Sequence, residues 1–495
     1  MHTDPAQHTD LLVVGGGLAG LAAAERARRD GASVRLLEAG ERVGGVVGSF
    51  AVEHAGGAFL FETGPHSVPS TAQHFGAAVL RLGLTERLVR SDASARKRHL
   101  LWRGALRELP SSPPGLLRTP LVSWRTKLRF LGESKRPWTP PADDAEPTLF
   151  ELAKERFGED AAERVAGAFV RGVYAGEAKN LGARSAFPRL WAGLLEHRSI
   201  LRFLKAARAN GGGLARTTLL SFEDGLGELP AAFARALEGA IETNARVTAL
   251  EVGEERVSAT LADGSTRTAN AVVLATPLPV ALELLASVIA ARPEMRAEMR
   301  AEVRAAADAL ATTRANGVRL VHLGFDAVPA DAWPEGFGFL VPPDEADERG
   351  VRMLGTLLPS NVFAGRAPSG GATAACFYRL DERTAAETPD ATAEVARREL
   401  AAALGLDAAA LAPVVTRALD WPAAAGGIPE YAPGHDRRVA ALEEALGAAA
   451  GNLALAGSYT HGVSVDDVLA RGERAAAAVV AVTAQGGSAR RANRS

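Results

Sequence analysis

Leu11-Leu12-Val13-Val14-Gly15-Gly16-Gly17-Leu18-Ala19-Gly20 decides the fold, and Ser33 to Leu37 followed by Glu38 completes the pattern. An apolar run, a glycine turn, an Ala-rich stretch ending at Asp30-Gly31 and a second apolar run read as a βαβ unit. Gly15 permits the tight turn, Gly17 lets the backbone approach a pyrophosphate, and Gly20 lets helix and strand pack closely. The helix that opens with Leu18 and Ala19 meets phosphate charge with its free N–H groups. Glu38, beside Ala39, is placed to accept hydrogen bonds from ribose hydroxyls. These residues, together with Gly16, predict a dinucleotide site at the edge of a Rossmann-like α/β domain.

Working outward, the 495-residue chain is 47% hydrophobic and 23% charged, the balance of a globular protein with room for two or three domains and a large ligand. Its 56 Lys+Arg against 58 Asp+Glu leave a net charge of -2, so no global field favours nucleic acid. The single Cys376 excludes an intrachain disulfide framework and Cys-based metal sites, and the ten His show no metal-ligand spacing. Met1 to Asp10 lacks the basic and apolar regions of a secretory signal, which predicts a cytoplasmic protein. Ala271 to Ala291, broken by Pro277, Pro279 and Glu283, reads as strand, turn and buried helix instead of a membrane span.

The texture of the chain predicts three parts. Segments 1–90, 214–300 and 422–495 form a discontinuous nucleotide-binding domain; 91–213, basic, apolar and Pro-rich, is an inserted helical lobe with helices at 148–170 and 188–210; 301–421 is a mixed-sheet substrate domain. Strands are expected at 318–325, 338–341, 353–357 and 372–378, a hairpin at Asp263-Gly264, and a structureless tail from Gln485.

Glu38-x-x-x-Arg42-x-Gly44-Gly45, followed by Val46, resembles the extended FAD signature of the flavin amine oxidase and protoporphyrinogen oxidase superfamily. Gly64-Pro65-His66-Ser67 resembles the Gly-Pro turn which that superfamily places near the isoalloxazine. Arg171-Gly172-Val173-Tyr174-Ala175-Gly176, Gly336-Phe337-Gly338-Phe339-Leu340-Val341-Pro342 and Gly427-Ile428-Pro429-Glu430-Tyr431 narrow the likeness to the single-chain, oxygen-dependent protoporphyrinogen oxidases, over nearly the whole chain.

That resemblance implies FAD as cofactor and a porphyrinogen and molecular oxygen as substrates, in heme biosynthesis. The flavin takes hydride from a meso carbon, six electrons leave in three rounds, and oxygen is reduced to hydrogen peroxide. The protein's task is to hold a flat apolar ring system, with no strong base required. By matching, Arg98 pairs with a substrate propionate, Leu340 and Phe363 sandwich the tetrapyrrole, and Gly172 brings backbone near the ring. A solvated basic run, plain core packing and a tight helix-end turn are the respective competing readings. Val247, Trp421, Gly457, Val463, Ser464 and Val465 match flavin positions; Ala423-Ala424-Ala425 reads as an insertion after Trp421. Where the family commonly has a small residue, Asn and Cys, this chain has Ser464, Asp466 and Val468; the hydroxyl at 464 is small enough that flavin binding is expected to survive, and turnover and substrate choice are what the departure puts in question.

Arg118, Arg125, Lys127, Arg129, Lys135 and Arg136 interleave with Leu116, Leu117, Leu121, Trp124, Leu128, Phe130 and Trp138, similar to the family's membrane-docking region. The implied location is the inner face of the cytoplasmic membrane, bound peripherally through 91–213, with a homodimer and a downstream ferrochelatase as partners. Three rivals stay open: a coproporphyrinogen III oxidase, another flavin oxidase, and a flavin-retaining paralogue without catalysis. An amine oxidase would need an aromatic cage, and 5% aromatic residues do not suggest one.

Overall fold

Leu11 and Val13 turn to one face of their strand and Leu12 and Val14 to the other, and all four are buried, because helices cover both faces of the sheet they belong to. The computed structural model describes residues 8–141, 145–209, 218–254, 256–291, 296–329 and 331–493. In the first sheet, strand His8–Val14 lies between Val34–Leu37 and Thr266–Leu274, with Ile241–Glu242 outside the former; all these pairings are parallel. Leu453–Leu455 pairs in parallel with the end of Thr266–Leu274, whose start carries the antiparallel strands Val257–Leu261 and Val247–Val252. The turn at Asp263-Gly264 takes the expected form, with Gly264 at φ +83°.

Helix Leu18–Arg29 packs on one face, and helices Leu278–Ala290, Ala297–Ala311 and His435–Ala449 on the other. The last helix, Val465–Asn493, lies along Leu18–Arg29 so closely that a Cβ at Gly472 would overlap the Ala19 carbonyl. It continues through 485–493, which composition marks as structureless: a helix anchored over its first turns propagates at little cost per residue.

The second sheet runs Val415–Trp421, Val318–Phe325, Ala372–Arg379, Met353–Leu357, Gly338–Leu340, His99–Trp102, Ala105–Glu108. Its last two strands come from the segment read as an inserted helical lobe, where no strand is expected. Their hairpin turn, Arg103-Gly104, has positive φ at both residues (53° and 71°), and the Glu345 carboxylate accepts both N–H groups at 2.8 and 2.7 Å. An Arg in the left-handed region, held by a distant carboxylate, hid a turn that Asn-Gly or Asp-Gly would have announced. The domain edge at 301 also shifts, since Val303 and Leu310 of Ala297–Ala311 pack into the core beneath the first sheet.

The helical lobe is more broken than its periodicity suggests. Gly158, at φ +110°, ends Leu149–Phe157, and a π-helical turn at Ala162–Gly167 precedes Ala168–Tyr174. Arg198, in the left-handed region, separates Pro188–His197 from Ile200–Ala209. The glycines 211–213 read as the lobe's end lie outside the described residues. Among those described, no helix is long and apolar enough to cross a membrane.

The contact at Gly472 predicts that Gly472→Ala destabilises the protein by about 1–3 kcal/mol through overpacking against the first turn of Leu18–Arg29. Denaturant unfolding of the apoprotein measures this, and an unchanged midpoint would refute it.

Candidate cofactor and substrate site

The glycine turn after Val14 is forced by its surroundings. Gly15 sits at φ +105°, and a Cβ there would lie 2.5 Å from the Ala275 carbonyl oxygen; a Cβ at Gly20 would overlap the carbonyl of Gly15 itself. Gly17 differs: a Cβ there would meet nothing within 4 Å. It is the N-cap of Leu18–Arg29, where no side chain caps the helix and no acidic residue stands in the first turn. An uncapped helix start beside open space fits a pyrophosphate. Leu18 and Ala19 are buried in that first turn, so only their backbone can face a ligand.

Glu38 follows the second strand directly. Its Oε2 accepts the Gly16 N–H and its Oε1 the Gly40 N–H, both at 2.7 Å, which fixes the carboxylate with lone pairs to spare for ribose hydroxyls. Ala39 is exposed in the same turn. The Gly44 N–H donates to the Gly16 carbonyl at 2.8 Å, and Arg42 braces the loop by donating to the carbonyls of Val43 and Gly45. Val46, Gly64 and Trp421 also meet. Thr63 Oγ1 donates to Val46 O at 2.9 Å, and Trp421 Nε1 donates to Thr63 O at 2.6 Å, so the indole is fixed beside the Gly64-Pro65 turn. Val247 is buried in its strand two residues after Ala245, whose N–H donates to Glu38 O. His66 is buried and Ser67 lies beside a small void described below.

The altered C-terminal segment is accounted for locally. Ser464 is exposed, and its hydroxyl donates to Asp467 at 2.6 Å while accepting the Asp467 N–H, a helix cap instead of a group projecting freely. Asp466 accepts the Phe75 N–H at 2.8 Å and so caps helix Gln73–Arg81. Gly457 follows Leu453–Leu455; Val463 packs on the cluster holding Tyr174 and Tyr431, and Val465 on the core around Leu18–Arg29.

A cavity of about 520 Å³ opens between the second sheet and the helical lobe. Arg98, Gly172 and Leu340 line it, and Gly172 is small because Leu340 occupies the place of a Cβ. Gly172 lies within helix Ala168–Tyr174, so the helix-end turn is not its role. Phe363 does not line this cavity; it packs behind Phe337 with Ala95 and Val362, under the Arg366 guanidinium at 5.3 Å. The wall beside Arg98 is instead Phe337, whose ring the Arg98 guanidinium covers at 4.9 Å. Partial burial lowers the Arg98 pKa, and among the described residues no carboxylate pairs with it. Apart from Arg98 and His99, the lining is apolar.

The sequence reading missed the phenylalanines Phe130, Phe157, Phe169, Phe187, Phe337 and Phe339, which concentrate here although aromatic residues are scarce overall. At helical spacing an aromatic residue facing a ligand and one facing a core look alike. The outer wall is held by a buried ion pair. Glu133 accepts from Arg156 Nη2 at 2.7 Å, from Ser199 Oγ at 2.5 Å, and from the Ile200 and Leu201 N–H groups, so one carboxylate ties together the helices that carry Phe130, Phe157 and Ile200. Burial pushes the Glu133 pKa up, but those bonds outweigh it and leave the carboxyl below its usual range.

The model of a family described as flavin containing amine oxidoreductase matches residues 18–480. The chain belongs to that family. It is 30% identical to the protoporphyrinogen oxidase of Bos taurus over 95% of this chain and 98% of that one, and 29% identical to a chloroplastic protoporphyrinogen oxidase of Spinacia oleracea over 95% and 84%. A coproporphyrinogen III oxidase of Propionibacterium freudenreichii is 27% identical over 96% and 91%. In fold, a bacterial protein from Exiguobacterium sp. 255-15 superposes with a TM-score of 0.77 at 22% identity, covering 97% of this chain and 99% of that one. The protein is an FAD-dependent oxidoreductase, and the glycine turn, uncapped helix and fixed Glu38 are the parts that suit the cofactor. FAD, when bound, would supply the electron acceptor.

Loss of the Glu38 carboxylate frees two backbone donors and removes the lone pairs left over for a ribose. Glu38→Ala is therefore expected to weaken FAD binding by roughly 10- to 100-fold, the equivalent of ~1.5–3 kcal/mol for bonds to a charged group. Titration of apoprotein with FAD reads this directly, and wild-type affinity would contradict it.

Proposed function

We propose that this protein oxidises protoporphyrinogen IX to protoporphyrin IX with bound FAD, passing the electrons to molecular oxygen with release of hydrogen peroxide. The observation that carries the reading is the cavity: large, walled mainly by phenylalanine, leucine and other apolar residues, and furnished with Arg98 as its lone permanent cation among the described lining residues. Arg98 is partly desolvated, stacked on Phe337 and free of a carboxylate, so a propionate would complete it with a planar, charge-assisted pair. The apolar walls orient the ring and exclude water. The names of the bovine and spinach relatives support the same substrate.

Coproporphyrinogen III is the second reading, favoured by the Propionibacterium relative. It carries four propionates, and any beyond the one at Arg98 must reach solvent, because an unpaired carboxylate inside apolar walls costs several kcal/mol. That difference favours protoporphyrinogen here.

Membrane contact through the lobe belongs to this proposal. Trp124, Leu128 and Leu131 are 65%, 64% and 52% exposed along one side of helix Trp124–Gly132, whose Phe130 lines the cavity. Exposed Arg118, Arg125, Arg129, Lys135 and Arg136 surround them. Lys127 has another role: it is buried, donates to Leu117 O at 2.9 Å and lies 4.8 Å over the Trp124 ring, turning that indole outward. Leu121 and Trp138 are also buried, as core. The resulting surface suits an anionic inner membrane face, from which an apolar substrate reaches the cavity and from which product passes to a ferrochelatase.

Supplied in air with both porphyrinogens in parallel, the flavin-loaded enzyme is expected to generate protoporphyrin fluorescence faster than coproporphyrin fluorescence. Arg98→Ala should raise KM at least tenfold with flavin content unchanged. Coproporphyrin formed faster would move the substrate to the second reading, and no rate above an enzyme-free control would favour a non-catalytic paralogue.

Vesicle flotation tests the surface. Wild type should float with vesicles rich in anionic lipid, and Leu128→Glu/Leu131→Glu should float several-fold less; equal flotation would remove the lobe as the docking site.

A further inference from the structure

His66 and His322 are both buried behind the Gly64-Pro65 turn, and their rings lie 5.9 Å apart between centroids. His322 Nε2 stands 2.8 Å from the Glu62 carbonyl oxygen, and His66 Nδ1 stands 2.9 Å from the Gly64 carbonyl oxygen. A carbonyl oxygen only accepts, so each of those ring nitrogens carries its hydrogen. In a neutral imidazole the other nitrogen is then a bare acceptor. His66 Nε2 and His322 Nδ1 are those nitrogens; both are buried, and neither has a hydrogen-bond partner among the described residues.

Both rings line a small void of about 10 Å³, together with Glu62, Arg366, Phe337 and Leu357. That is roughly the space for one water, which also needs at least two polar partners. Phe337 and Leu357 line the large cavity too, so this void lies directly behind its wall.

We propose that one water molecule sits between His66 and His322, donating one O–H to His66 Nε2 and the other to His322 Nδ1. The bridge closes a hydrogen-bonded ring through the carbonyls of Glu62 and Gly64 and thereby fixes the backbone entering the Gly64-Pro65 turn. A water is the ligand that satisfies two bare acceptors on rings lining one void, since it offers two donors where a cation would meet buried, uncharged rings beside Arg366. Burial keeps both imidazoles neutral, helped by the Arg366 charge at His66 and by His66 at His322, with pKa values lowered to about 4 for His66 and about 3 for His322. The other titratable groups lining the void are engaged elsewhere, and burial raises the Glu62 carboxyl to about 7. Glu62 accepts from Ser49 Oγ at 2.6 Å and from the Leu226 N–H, and Arg366 donates to Ser221 Oγ and to the carbonyls of Phe222 and Glu223. His66 and His322 are thus positioning residues for the flavin-side turn; this last step alone rests on the flavin reading of Gly64-Pro65.

A high-resolution crystal structure of the holoenzyme, with histidine-labelled ¹⁵N spectra at pH 6, tests the proposal. Expected are one water within hydrogen-bond distance of both bare nitrogens, His66 as the Nδ1–H tautomer and His322 as the Nε2–H tautomer. A dry void, a charged imidazole or the opposite tautomer in either ring overturns it. For the positioning role, His66→Leu and His322→Leu should each retain FAD while shifting the visible circular dichroism of the flavin. An unshifted flavin spectrum in a folded, flavin-loaded variant rejects the role. If His322→Leu does not fold, His66→Leu, at the end of the turn, decides the matter. Failure of the protein to bind FAD at all would sink the flavin reading and leave the water test intact.

Discussion

The architecture depends on one close approach: the start of helix Leu18–Arg29 pressed onto the end of strand His8–Val14. Gly15 and Gly20 let the two backbones touch each other and Ala275, and the last helix presses in from outside at Gly472. Bringing them together leaves the first N–H groups of the helix without a protein acceptor, a cost that an anionic ligand offsets. The neighbouring pieces are arranged around that uncapped end: Glu38 accepts the Gly16 N–H, Gly44 bonds back to Gly16, and Leu453–Leu455 delivers Gly457 beside the same strand ends. The cofactor site is therefore a consequence of how the parallel sheet and its helices pack.

The substrate cavity arises from a different economy of contacts. It lies where the second sheet and the helical lobe meet without filling the space between them, and most of its lining residues come from the lobe's helices. The lobe keeps its shape through a buried polar anchor. Glu133 and Arg156 neutralise each other, and the remaining lone pairs of Glu133 are taken by Ser199 and two backbone donors, so the pair satisfies the condition under which buried charge is tolerated. Arg98 is the opposite case, a cation stacked on Phe337 but left without a carboxylate partner among the described residues, which is what a carboxylate-bearing ligand requires.

Local features with a fixed mechanical meaning were legible in the sequence. The glycine turn, Glu38, the Asp263-Gly264 hairpin and the strands 318–325 and 372–378 lie where their patterns place them, since each is set by residues close in the chain. Arg98, Gly172 and Leu340 came from resemblance, and the fold brings them to one cavity. What the sequence concealed depends on distant partners. Arg103 takes a left-handed conformation because Glu345 holds its N–H; Phe363 points behind the cavity wall because Phe337 occupies the wall; Lys127 is buried because the Leu117 carbonyl receives it. Ser464 and Asp466 departed from the family pattern, and their bonds to Asp467 and Phe75 become visible only once two helix starts are placed.

On the proposed function, a porphyrinogen held in this cavity reduces the bound flavin. Mixing the oxidised holoenzyme with stoichiometric protoporphyrinogen IX under strict exclusion of oxygen tests it most directly, by following the yellow flavin band and porphyrin absorbance together. The account predicts that the flavin bleaches as the substrate is oxidised, and that air restores the band with release of hydrogen peroxide. A flavin that stays oxidised while the porphyrinogen is bound would contradict it.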